Sequence, residues 1–94
     1  MYLIENKIEG NEGEFFYREN DEVLAKMTYI IDERKNEMII NHTNVDPALK
    51  GKGIGALMVE KGIQFAREHK YKIVPLCPFV ATLIKRKPEW QDVI

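Results

Sequence analysis

The stretch VDPALKGKGIG, Val45 to Gly55, places three glycines within five positions immediately ahead of a long amphipathic run. Glycine is used where a chain must turn left-handed or let another group touch its backbone. A helix start, in turn, exposes amide N–H groups that lack intrahelical partners and carry a partial positive charge. A glycine-rich segment at such a start reads as a cradle for an anion, with a phosphate or pyrophosphate as the natural guest. The alternative is a tight strand-to-helix turn with positive φ, and these residues alone leave both readings open.

Upstream of this stretch the sequence alternates. Tyr2, Ile4 and Ile8 fall on one side of a first strand, and Phe15 and Tyr17 on one side of a second, with Gly10 to Gly13 as the turn between them. The third run is the clearest: Val23, Ala25, Met27, Tyr29 and Ile31 are apolar at period two while Lys26, Thr28 and Asp32 face away, and Asn20-Asp21 supplies its hairpin turn. A fourth strand is expected from Glu37 to Val45, with Met38, Ile40 and His42 on one face. Four strands in a row with short turns make an antiparallel meander.

Downstream the period changes to that of a helix. Val59, Gly62, Ile63 and Ala66 form one stripe, and Glu60, Lys61, Gln64, Arg67 and Glu68 form the opposite one, so a helix is expected from Gly53 to His69. Tyr71 to Leu76 reads as a fifth strand, either parallel to the fourth or splayed beside it, because a helix connects the two. Pro78 suits the first turn of a second helix, expected to reach Arg86 before Pro88 stops it. Trp90, Val93 and Ile94 are expected to pack back on the sheet. The fold class is therefore α/β in the α+β sense, a mixed sheet with one long and one short helix.

With 94 residues, 45% of them hydrophobic and 31% charged, the chain reads as a single domain spanning residues 1–94, neither disordered nor fibrous. The 14 basic and 15 acidic side chains nearly cancel, which removes the broad positive field that nucleic acid needs. Lys85-Arg86-Lys87 is a short cluster at an expected helix end, where cations satisfy the last carbonyls. Neither a secretory leader nor an apolar run long enough to span a membrane is visible, so a cytoplasmic location without membrane attachment is expected. The single cysteine, Cys77, excludes an internal disulfide and a cysteine-rich zinc site. No metal site is expected.

Spacing separates the phosphate motifs that compete for the glycine stretch. A nucleotide-hydrolase loop ends in Gly-Lys-Ser/Thr, whereas Lys52 is followed by Gly53. A dinucleotide fingerprint needs a preceding βαβ start and an acid about twenty positions on, and neither is present. Lys50-Gly51-Lys52-Gly53-Ile54-Gly55 instead resembles the Gln/Arg-x-x-Gly-x-Gly/Ala signature of the GCN5-related N-acetyltransferases. Lys50 stands where glutamine or arginine is usual, which keeps the charge of arginine without its fork of donors. The segment HTNVDPALKGKGIGALMVEKGIQFARE, followed by KIVPLCPF, is similar to the small one-domain branch of that family sometimes called Yjdj-type.

That resemblance implies a pyrophosphate grip on acetyl-coenzyme A, with coenzyme contacts at Asn44, Val45, Lys50, Gly51, Lys52, Gly53, Ile54, Gly55 and Pro78. It also implies a pantetheine arm running between the fourth and fifth strands, the two strands that supply His42 and Cys77. Larger members insert two helices after the first strand, where this chain has only Gly10 to Gly13, so a shallow, open acceptor site is expected. Histidine moves protons near neutrality, and a cysteine thiolate is the strongest ordinary protein nucleophile for a thioester.

Two routes follow. In one, His42 deprotonates an amine or thiol that attacks the thioester directly, while backbone N–H groups near Asn44 and Val45 stabilise the oxyanion. In the other, His42 activates Cys77, which takes the acetyl group and passes it on. The direct route is preferred because no orienting acid stands beside His42. His69 reads as a helix C-terminal cation, and Tyr29 and Tyr71 as core or cleft-wall aromatics. The function expected is transfer of acetyl from acetyl-coenzyme A to an amine or protein acceptor by a monomer or weak dimer. The alternative is a non-catalytic module that binds acyl-coenzyme A or a protein partner.

Overall fold

The computed structural model describes residues 2–94. Alternation carries the first half of the chain into four antiparallel strands, β1 (Glu5–Glu9), β2 (Glu12–Glu19), β3 (Glu22–Asp32) and β4 (Glu37–Val45). Their tight turns use Gly10, Asn20 and Asn36, all left-handed, residue types that tolerate this conformation at turns. Cross-strand register sets one face for the core: Phe15, Ala25, Met27, Tyr29, Ile31, Met38 and Ile40 are buried there.

Helix α1 (Ile54–His69) lies on that face and buries Met58, Val59, Gly62, Ile63 and Ala66, each large apolar side chain contributing about 1.5–3 kcal/mol of transfer free energy. It returns the chain to β5 (Lys72–Pro75), which pairs parallel with β4 and completes the order β1-β2-β3-β4-β5. Helix α2 (Pro78–Lys85) opens on a proline and seals the same face with Val80 and Ile84. No helix lies on the opposite face of the sheet among the described residues. Among the described residues, no helix is long and apolar enough to cross a membrane.

Two expectations from the sequence are corrected. The C-terminal tail forms a 3-10 turn (Pro88–Val93) packed chiefly against α1 and α2, meeting the sheet where Lys72 of β5 donates to the Asp92 carbonyl at 2.7 Å, with Trp90 and Val93 buried and Ile94 half exposed. Arg67, exposed on the polar stripe of α1, fastens that tail through bidentate contacts with Asp92 at 2.8 and 2.9 Å and a bond to the Glu89 carbonyl.

The second correction concerns β4. Thr28 pairs with His42 but Tyr29 pairs with Ile40, so Asn41 is an extra residue opposite β3. This bulge shifts the alternation by one. Met38 and Ile40 face the core, whereas His42 faces the open side with Thr28, and Thr43 takes the core-facing position opposite Met27. Met38, Ile40 and His42 do not share a face.

Candidate functional site

The bulge also marks where the sheet divides. Parallel pairing between β4 and β5 ends at Ile40 and Pro75, and the Ile40 carbonyl accepts from both Leu76 N and Cys77 N, at 3.0 and 3.2 Å. Beyond it β4 continues to Val45 with β3 as its only strand neighbour among the described residues, while the segment after β5 leaves as α2. A cleft of about 570 Å³ opens in the gap. Thr43 and Val45 line it from β4, Leu49 to Gly51 and Gly53 to Ala56 from the glycine stretch, and Phe79 and Leu83 from α2.

The glycine stretch is built to leave amides unused at this cleft. The Asp46 carboxylate accepts from Ala48 N at 2.8 Å and caps a 3-10 turn, Pro47–Leu49, which anchors Leu49 in the core. Lys50 N and Lys52 N are taken up by the carbonyls of Pro47 and Leu49. Gly51 and Gly53 then turn left-handed, with φ of 79° and 76°, where a side chain would strain the backbone. The first helical bond runs from Leu57 N to the Gly53 carbonyl, so Ile54, Gly55 and Ala56 N–H have no intrahelical acceptor. No side chain caps this end and no acid stands in its first turn, which leaves the positive end of the helix dipole uncompensated. Gly55 has a steric role as well: a Cβ there would fall 2.8 Å from Cζ of Phe79.

The residues expected to act together are divided by this geometry. Val45, Lys50, Gly51, Gly53, Ile54 and Gly55 surround the one cleft. Lys52 lies on the turn outside the lining, and Pro78 borders an adjoining depression with Thr82 and Arg86. Asn44 pairs with Lys26, is exposed on the open face and is not among the residues lining the cleft. His42 is exposed on that open face and makes no side-chain hydrogen bond among the described residues. The bulge therefore separates His42 from Cys77, and the expected activation of Cys77 by His42 is corrected: the side chain against the thiol is Thr43.

Cys77 is buried where β5 gives way to α2, its Sγ donating to Thr43 Oγ1 at 3.5 Å. Burial alone pushes the thiol up, but hydrogen bonding from the Thr43 hydroxyl and from the Val80 and Phe79 N–H groups at the start of α2 outweighs it and holds the thiol below its ordinary range. None of these influences comes from a charged side chain.

Sequence reasoning missed Thr43, Phe79 and Leu83. The last two were legible as an i, i+4 apolar pair on α2; Thr43 was hidden by the bulge. Tyr29 is a core residue donating to Asn6 Oδ1 at 2.7 Å, and Tyr71 stacks on His69 away from the cleft. On the open face, a shallow groove of about 480 Å³ runs from Lys7 and Glu14 past Thr28 to Asn41, ending beside the split.

A strand edge released at a bulge, and a helix start released by glycines, meet around one cleft. A family model described as GCN5-related N-acetyl-transferase matches residues 14–93, which is most of the chain. The chain belongs to the GCN5-related N-acetyltransferases. A GCN5-like protein from Staphylococcus aureus, solved in solution by NMR, shares 32% sequence identity over 95% of this chain and 85% of its own, with a TM-score of 0.71. A ribosomal-protein-alanine N-acetyltransferase from Brucella melitensis matches at 16% identity and TM-score 0.66, covering 81% of this chain and 62% of that one. An aminoglycoside acetyltransferase from an uncultured soil metagenomic sample matches at 18% identity and TM-score 0.65, covering 86% of this chain and 60% of that one. The last two share the acetyltransferase fold, and this chain spans less than two thirds of their length. No curated protein matches in sequence.

Proposed function

We propose that this acetyltransferase-family protein binds acetyl-coenzyme A in the cleft between β4 and α2 and transfers its acetyl group to an amine presented on the open face of the sheet. The observation that carries this reading is the continuity of the cleft, from the uncapped amides of α1 to the unpaired edge of β4. The residues fit a coenzyme: amides and Lys50 suit a pyrophosphate at one end, and Val45, Phe79 and Leu83 suit the apolar stretches of a pantetheine arm along the way.

In this reading Gly51 and Gly53 admit the pyrophosphate to the backbone, and Ile54, Gly55 and Ala56 N–H donate to it. The free edge of β4 around Thr43 and Val45 pairs with the arm as a fifth-strand residue would, and its N–H groups near Asn44 and Val45 steady the developing oxyanion. His42, on the open face, takes the proton of an amine arriving from that side and attacking the thioester directly. The short Gly10–Asn11 turn leaves this side uncovered, so the acceptor site is open and its walls are the strands themselves.

The test is a calorimetric titration with coenzyme A, followed by a panel of amines offered with acetyl-coenzyme A while free thiol is measured. Coenzyme binding with amine-dependent thiol release is expected. Binding without release from any amine would favour a non-catalytic coenzyme-binding module, and no binding would remove the reading altogether.

A further inference from the structure

The cleft is not closed off by α2. Phe79 and Leu83, one turn apart, form a ridge on that helix: they line the cleft on one side and, on the other, a depression of about 340 Å³ whose remaining walls are Pro78, Thr82 and Arg86. Positions 78, 82 and 86 recur at intervals of four and so share one stripe, while Val80 and Ile84 turn into the core. The depression therefore runs along α2 from its start, where Phe79 lies against Gly55, to the residue that follows its last turn.

Charge follows the same division. The chain has a net charge of −1, yet no acidic side chain lines the cleft or the depression, and the two hold Lys50 and Arg86. The groove on the open face has the reverse balance, with Glu9, Glu12 and Glu14 against Lys7. The three consecutive cations that end α2 also differ among themselves. Lys87 lies over the Trp90 ring at 5.6 Å, and Lys85 sits in the last helical turn, where its charge meets the dipole. Arg86 is exposed, carries no ion pair among the described residues, and is the one of the three that lines the depression. Free amides at one end and a free guanidinium at the other suit a ligand with two separate phosphate groups.

We propose that Arg86 binds the ribose 3′-phosphate of coenzyme A, the depression taking the nucleoside, so that this chain distinguishes coenzyme A from its dephosphorylated form. The inference rests on the coenzyme reading of the cleft and names the residue that recognises the second phosphate group. A guanidinium presents a planar fork of donors to a phosphate, which an ammonium at the same place does not.

The experiment compares calorimetric titrations with coenzyme A and with dephospho-coenzyme A, which differ only at the 3′ position, for the natural protein, Arg86→Lys and Arg86→Gln. The natural protein should bind coenzyme A about tenfold more tightly, the scale of one charge-assisted contact. In Arg86→Gln this preference should vanish through weaker binding of coenzyme A, with the affinity for dephospho-coenzyme A unchanged, and Arg86→Lys should keep part of it. Equal affinity of the natural protein for the two ligands, or a full preference surviving in Arg86→Gln, would overturn the proposal. So would an equal loss for both ligands, which is what a purely helix-ending role for Arg86 gives. Binding of neither ligand by the natural protein would refute the coenzyme reading of the cleft, and the assignment of Arg86 with it.

Discussion

The two halves of β4 have the same backbone conformation and opposite duties. From Glu37 to Ile40 the strand is hydrogen-bonded on both sides, by β3 and by β5, and its inward side chains Met38 and Ile40 are fully buried. From Asn41 to Val45 it has β3 alone, its side chains are exposed or half-buried, and a cleft lies along its free edge. One half is scaffold because its polar backbone is satisfied; the other is available because its backbone is not. The change falls at a single extra residue, Asn41, whose side chain accepts from Thr28 Oγ1 at 2.6 Å on the open face. A bulge re-aims the side chains that follow it, and here it sends His42 to one face and Thr43 to the other.

If the halves differ in this way, substitutions on either side should fail differently. Ile40→Ala, in the doubly paired half, should cost about 2–5 kcal/mol of folding stability by leaving a cavity, while the folded fraction keeps its coenzyme affinity; denaturant unfolding and calorimetry together measure this. His42→Ala, two residues on, should leave stability and coenzyme affinity nearly unchanged and lower turnover with an amine about a hundredfold, as for loss of a general base. Gly53→Leu tests the other border of the cleft. The left-handed backbone and the approach of an anion both exclude a side chain there, so coenzyme affinity should fall by roughly ten- to hundredfold, the scale of charge-assisted hydrogen bonds lost.

The smallest effect should come from outside both halves. Arg67 holds the Asp92 carboxyl below its ordinary range, so this ion pair supports the fold above that range and loses its contribution as pH falls through the depressed value. Asp92→Asn should therefore lower the melting temperature slightly at neutral pH and not at all in strong acid. Its groups are solvent-exposed, so the effect is small, and coenzyme affinity should not change.

The paired half of β4 was legible in the sequence, and the divided half was not. Period-two alternation from Ala25 to Ile31 and the stripe Val59 to Ala66 gave away the meander and the long helix, because burial on one face leaves a repeating pattern. Val23, read into the same inward series, is exposed because the register shifts at Leu24. The glycines were legible too, since a left-handed turn at a helix start restricts the residue type. A bulge adds one residue without altering composition, so His42 read as the next inward position after Ile40. The trace it left is a phase slip, with inward residues at 38 and 40 and then at 43 and 45. The tail was misplaced for a related reason: apolar spacing says that Trp90 and Val93 are buried, not against what, and the partner was set by Arg67 reaching Asp92.

The most direct test of the divided strand is to follow backbone amide resonances while coenzyme A is added. The account predicts shifts at Thr43 and Val45 and at Gly51, Gly53, Ile54, Gly55 and Ala56, with Met38, Ile39 and Ile40 left in place. Shifts concentrated in Met38 to Ile40 or on the open face, with the glycine amides unmoved, would contradict it.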